Sequence, residues 1–479
     1  MLYARADVST VGEMGFENRL RIPPLAEGVR DGAGRRVVDL RLRTGRREIL
    51  PGTTTETWGA NGPHMAPTIR AERGDAVTAR VRNGLPEDTT IHWHGMHLPA
   101  GADGGPHTVI GRGATWTPSW TVDQPAATLW YHPHPHGRTE EHVYRGVVGM
   151  FIVDDPAAPV GLPSRYGVDD VPVMIQDLRL GDDGSLETSK GLLSPTGRLG
   201  STILVNGTHD PHLPVTTERV RLRLLNASTA RVYDIGFADG RELDQIASDG
   251  GLLAAPLRAS RIALSPGERA EVVVEVAAGE RAVLRSFPPD LGMNVVEERF
   301  AGGDDSFDLL ELRAAGRLDP SPDVPRRLAT IPPASAQEAV RTRRFELQGQ
   351  GSINGRAMDM GRIDEMVPAG EPELWEVEND TGTVHNFHVH GTSFRVLGDG
   401  GVPAEPALAG WKDTVLVPPG DTRRLLVRFD HPDPRVPLMY HCHLLQHEDR
   451  GMMGQALILR PGQRARFDPA AAPVHDHSG

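Results

Sequence analysis

The chain carries a single cysteine, Cys442, in 479 residues. No intrachain disulfide can form, so cysteine usage says nothing about redox compartment. Apolar runs of about 18 residues or more are absent, and no membrane-spanning helix is expected. Dense Lys/Arg runs are missing too, and the formal net charge is -13. Both argue against a nucleic-acid partner. The opening residues, MLYARADVST, lack the apolar core of a secretory signal. The expected location is periplasmic or secreted after leader removal, ahead of cytoplasmic.

Glycine (54) and proline (40) are abundant, which fits many short strands joined by turns. At about 150 residues per domain, the length suggests three domains. Three segments repeat. RGDAVTARVRNGL, TTERVRLRLLNAS and AGEPELWEVENDT end strand-like runs at Asn83, Asn226 and Asn379, in steps of 143 and 153 residues. In the second, Val220, Leu222 and Leu224 alternate with Arg219, Arg221 and Arg223, the pattern of a half-buried strand. PGERAEVVVEV from Pro266 and PGDTRRLLVRF from Pro419 form another pair. The spacing suits whole repeated domains, not short solenoid units. We expect an all-β chain of three sandwiches of antiparallel strands, spanning 1–156, 157–325 and 326–479. Proline-rich stretches at 154–167 and 317–337 mark the boundaries. The tail, with His475 and His477, reads as solvated and not as a metal site.

Ten of the 20 histidines are singled out from four clusters: HWHG (His92, His94), HPHPHG (His132, His134), HNFHVHG (His385, His388, His390) and HCHLLQH (His441, His443, His447). Residues i and i+2 of a strand share a face, so each His-x-His pair can present two imidazoles to one place. One such pair is commonly accidental; four are not. Imidazole suits Cu, Zn, Fe and Ni. HWHG and HVHG each begin nine residues after a repeat asparagine. The middle copy reads YDIG, with Tyr233 and Ile235 where the outer copies have histidines. Its His209 and His212 read as a loop. A shared site must therefore lie between the first and last domains.

In an extended HCH, Cys442 faces away from His441 and His443 and can bind a different metal. His385 and His447 remain after the pairs, and Met452 follows His447 by five residues. Two histidines, a thiolate and a weak thioether make a blue-copper set. Met452 is preferred as the axial ligand, but spacing leaves Met453 open.

These four motifs, in this order, resemble the multicopper oxidases, in particular the bacterial laccase and copper-efflux oxidase branch. The likeness extends through TWGANG, DQPAATLWYHPHPHG, DDVPVMIQD, IASDGGLL and GWKDTV. It implies cupredoxin-like Greek-key domains and four coppers per chain. His385, Cys442, His447 and Met452 would hold type 1 copper, and His92 and His388 type 2. His94, His132, His134, His390, His441 and His443 would hold the type 3 pair. It further implies that electrons from a small reducing substrate (a phenol, an aromatic amine or a metal ion) pass through Cys442 to reduce dioxygen to water, with Asp103 and Glu448 as proton donors. Two departures stand out. Asn386 replaces the proline usual after the first histidine. Only Met358, Met360 and Met366 occupy the place of the long methionine-rich insertion of copper-efflux oxidases. The type 1 edge is therefore expected to be open to bulky organic donors, with phenolic or aromatic oxidation ahead of cuprous-ion or other metal-ion oxidation. A non-catalytic blue-copper carrier or copper store, a copper nitrite reductase and a zinc hydrolase are rivals that leave the eight paired histidines or Cys442 without a role.

Overall fold

The structure, a computed structural model, describes residues 8–188, 194–398 and 405–469. His475 and His477 lie outside the described residues. Strands dominate, and they form three two-sheet sandwiches. In the first, the strands Arg36–Arg47, Thr55–Ala60 and Ala76–Gly84 face a sheet of Thr68–Glu72, Ala127–Tyr131 and Gly149–Asp154. Leu40, Leu42, Val77, Val81, Trp93, Leu129 and Phe151 fill the space between. The middle sandwich packs a seven-stranded sheet centred on Asp170–Leu178, Arg219–Asn226 and Arg269–Glu275 against a six-stranded one. The third packs two five-stranded sheets around Phe345, Trp375, Phe387 and Tyr440. No helix among the described residues is long and apolar enough to cross a membrane.

The three repeat strands have matched surroundings. Asn83, Asn226 and Asn379 are all fully buried. Each side-chain oxygen accepts the N–H two residues on, at Leu85, Ser228 and Thr381. Each amide nitrogen donates to two carbonyls, for Asn83 those of Glu87 and Ile110. Each asparagine carbonyl accepts from a glycine N–H, of Gly113, Gly267 and Gly420. Those glycines have φ of 75°, 87° and 73°, a conformation other residues adopt at a cost. The repeat read from sequence is thus one turn built three times.

The sheets are mixed, not purely antiparallel. Each repeat strand has one parallel neighbour: Arg36–Arg47, Asp170–Leu178 or Thr342–Gln348. Arg219–Asn226 also differs from a half-buried strand. Arg221 and Arg223 are buried, because the first sandwich covers their face. Arg223 donates to Asp170, Glu271 and Thr128. His209 and His212 lie in short strands, Thr208–His209 and Pro211–Thr217. Asn18–Arg19 pairs with Pro211 and His212, so the segment near the start of the chain belongs by pairing to the middle sandwich.

Candidate metal centre

Three of the four His-x-His segments sit at or just beyond strand ends, and His92 lies in an isolated bridge. His388 lies in His385–Val389 and pairs across the sheet with His441, the last residue of Asp433–His441. His132 follows Ala127–Tyr131 and bridges to His92. The first and third sandwiches thereby bring eight histidines together. They sort into overlapping groups whose ligand atoms lie within 4.8 Å of one another: His94, His132 and His443; His134, His390 and His441; and His92 with His388 and His94. A separate group holds His385, Cys442 and His447. Cys442 Sγ lies 3.6 Å from His385 Nδ1 and 3.7 Å from His447 Nδ1. Although the strand ends at His441, Cys442 and its two neighbours do face different groups.

Met452 packs in the same buried cluster as Cys442 and Leu444. Met453 lines a cavity of about 240 Å³ with Tyr440, Arg356 and Glu365. The two methionines that spacing left open have distinct surroundings.

Carboxylates orient the imidazoles from behind. Asp103 closes the one-turn helix Ala100–Asp103. Its Oδ2 is 2.8 Å from His390 Nδ1 and 3.3 Å from His92 Nδ1. Glu448, in the helix Leu445–Asp449, reaches His441 Nδ1 at 3.2 Å and His134 Nδ1 at 3.4 Å. Burial, with Asp449 second, pushes Glu448 well above the usual carboxylate range. Asp413 Oδ1 lies 3.0 Å from His94 Nε2, and the Asp413 carbonyl 2.8 Å from His388 Nδ1. Asp413 was missed from sequence, where GWKDTV carried only family likeness.

Burial first and neighbouring imidazoles second hold His94, His132, His134, His388, His390 and His443 well below the ordinary histidine range. Burial takes His441 to about 3 and His447 to about 4. These rings are neutral, as metal ligation requires. Burial also raises the Cys442 thiol to about 12, so ligation must displace its proton.

The imidazole edges expected to be open are covered. His385 and His447 are fully buried. His447 Nε2 donates to the Pro195 carbonyl at 2.8 Å, and His385 Nε2 lies 3.2 Å from Thr381 Oγ1. The cover over His447 comes from the middle sandwich and that over His385 from the third, and a missing methionine insertion reveals neither.

Family models described as multicopper oxidase match residues 41–158 and 329–461. "Multicopper oxidase mco" of Staphylococcus haemolyticus is 33% identical over 451 residues, covering 92% of this chain and 93% of that protein. The chain belongs to the multicopper oxidase family. Another relative is "Cell division protein FtsP" of Salmonella typhimurium, 36% identical over 449 residues and covering 93% of each chain. A solved laccase-like multicopper oxidase, CueO from Ochrobactrum sp., superposes with a TM-score of 0.83 at 35% identity. That match covers 92% of this chain and 100% of that one. The three sandwiches of this multicopper oxidase are thus cupredoxin-like.

The donor set of this multicopper oxidase fits copper. His132 Nε2, both ring nitrogens of His443, and His94 Nδ1 are buried without a hydrogen-bond partner. Buried polar atoms rarely stay unsatisfied, and a ligated ion satisfies these. Imidazole and thiolate together are ligands that copper accepts. As a multicopper oxidase, the chain uses dioxygen and a reducing substrate.

Proposed function

We propose that this multicopper oxidase is a laccase-type enzyme. It couples one-electron oxidation of phenolic or other aromatic donors to four-electron reduction of dioxygen to water. His385, Cys442 and His447, together with Met452, would hold type 1 copper. His92 and His388 would hold type 2 copper. His94, His132 and His443, with His134, His390 and His441, would hold the type 3 pair. When bound, these four coppers supply single-electron transfer and the reduction of dioxygen.

The carrying observation is the placement of Cys442. It sits in one ligand group, and its two sequence neighbours sit in two others. A single backbone therefore joins the electron-accepting group to the oxygen-reducing one. Asp103 presents one carboxyl oxygen to both His390 and His92. Glu448, raised by burial, holds a proton between His441 and His134.

On the donor side, the Pro195 carbonyl relays contact from His447 to half-buried surface beside Gln350, whose Nε2 also donates to Pro195. A donor has only to touch this patch, which suits varied organic molecules. The Ochrobactrum relative is described with oxidase activity towards lignin model compounds and lignosulfonate. A periplasmic or secreted location suits such donors.

One contact favours a second reading, cuprous-ion or other metal-ion oxidation. The Met358 N–H donates to the Gly451 carbonyl, next to Met452, placing Met358 near the type 1 group. Met366 is 54% exposed on the strand Glu365–Pro368.

Copper analysis with oxygen uptake tests the proposal. Four coppers per chain and dye-dependent oxygen consumption are expected; one copper and no uptake would indicate a carrier. Cys442→Ser should remove the intense visible band and the activity while circular dichroism stays unchanged, since no second thiol exists. A variant that stayed blue would sink the assignment.

A further inference from the structure

Among the described residues, the middle sandwich contributes none to the metal-ligand groups, yet one of its turns reaches the partners of two of them. It begins at Ser265 and enters the strand Arg269–Glu275. A Cβ on Gly267 would lie 3.2 Å from the His443 ring, so backbone is pressed against that ligand. Asn386, at the position usually proline in the family resembled, is fully buried beside the turn. Its amide nitrogen donates to Ser265 Oγ at 3.1 Å and to the Pro266 carbonyl at 2.8 Å. Its amide oxygen accepts the His443 N–H at 2.6 Å and lies 3.6 Å from Cys442 Sγ. Asn386 therefore ties the Cys442–His443 peptide to the turn.

Arg269 makes the second connection. It donates to the carbonyls of Thr128, Gly267 and Asp249 at 2.9, 3.1 and 3.0 Å. It also clasps both oxygens of Asp413 at 2.7 and 2.6 Å. Asp413 Oδ1 faces His94 Nε2 and leaves Nδ1, the unpartnered nitrogen, for the cluster. Lys412 bridges Glu268 and Asp249 beside it, at 2.8 and 3.0 Å. Arg269 thus touches all three sandwiches through one rigid fork, a geometry that lysine cannot copy.

We propose that the 265–269 turn of the middle sandwich positions both copper centres, holding the Cys442–His443 peptide through Asn386 and the His94 ring through Asp413. The inference rests on the copper reading above. Partners behind a ligating histidine typically change metal affinity by about 10–100-fold. An amide oxygen near the thiolate disfavours the electron-richer reduced state, so removing it should raise the type 1 potential.

Three variants of the copper-loaded enzyme test it. Arg269→Lys keeps the charge but loses the fork. Copper should then leave to a chelator about 10–100-fold more readily, with the visible band unmoved. Asn386→Ala should shift the band and raise the type 1 potential, with full copper content. Ser265→Ala should shift both less, in the same direction. If the variants only lower the thermal midpoint, with band, potential and chelator resistance as in wild type, the turn is structural and the proposal fails. It also fails if Arg269→Lys and Asn386→Ala disturb both centres alike. A wild-type chain that binds no copper overturns the underlying reading instead. Should Arg269→Lys not fold, an unchanged band and potential in Asn386→Ala still reject the Asn386 arm.

Discussion

Met452 and Met453 are adjacent in sequence but not in surroundings. Met452 is packed with Cys442, whereas Met453 faces a polar cavity. A weak axial thioether helps stabilise Cu(II), so Met452→Leu should raise the type 1 potential and Met453→Leu should change it less. Redox titration of both variants decides, and the reverse order transfers the axial role. Asp103 makes a second single-residue case. Asparagine can preserve the contact with His390 but cannot cycle a proton. Asp103→Asn should therefore lower turnover by about 10²–10⁴-fold, with copper content near wild type. Unchanged oxygen uptake at full copper loading rejects that role. The ligand candidates were legible because i, i+2 pairing is a local signal. Asp413 was not, because its partner His94 lies 319 positions away and no local pattern links them.

The strand Arg219–Asn226 shows the same limit for an element. Its period of two was plain, but the burial of both faces was not, because the second cover is another sandwich. Replacing Arg223 by leucine leaves Asp170 and Glu271 short of a buried partner. Loss of one member of such a network costs about 3–5 kcal/mol. The urea midpoint should fall with little change in slope. Burial opposes ionisation of Glu271, yet Arg221 and Arg223 outweigh it and hold the group at about 2. The folded pKa is thus below the unfolded one. Its stabilisation is present above the unfolded value of 4.5 and disappears as pH falls toward 2. In Arg223→Leu the folded pKa rises, so the pH-dependent part of this contribution should shrink between those limits. Thermal midpoints measured across that range test the sign.

At the scale of the whole molecule, the three-fold repeat was legible because each copy needs the same asparagine turn. The cover over His447 was not, since its Pro195 contact spans 252 positions. With Met358 as the methionine beside that site, phenols and laccase dyes should be oxidised by fully loaded enzyme without added Cu(II). Strong stimulation by Cu(II), or turnover confined to Cu(I), promotes metal-ion oxidation in place of the laccase reading. The pairing of Asn18–Arg19 with Pro211–His212 bears on biosynthesis. The early strand has no partner until nearly two hundred further residues have left the ribosome. At about 5–20 residues per second, the delay is on the order of 10–40 s. Throughout it, Leu20, buried in the finished protein, stays in water or in the hands of a chaperone. The first sandwich can close in that interval while the segment preceding it is still waiting.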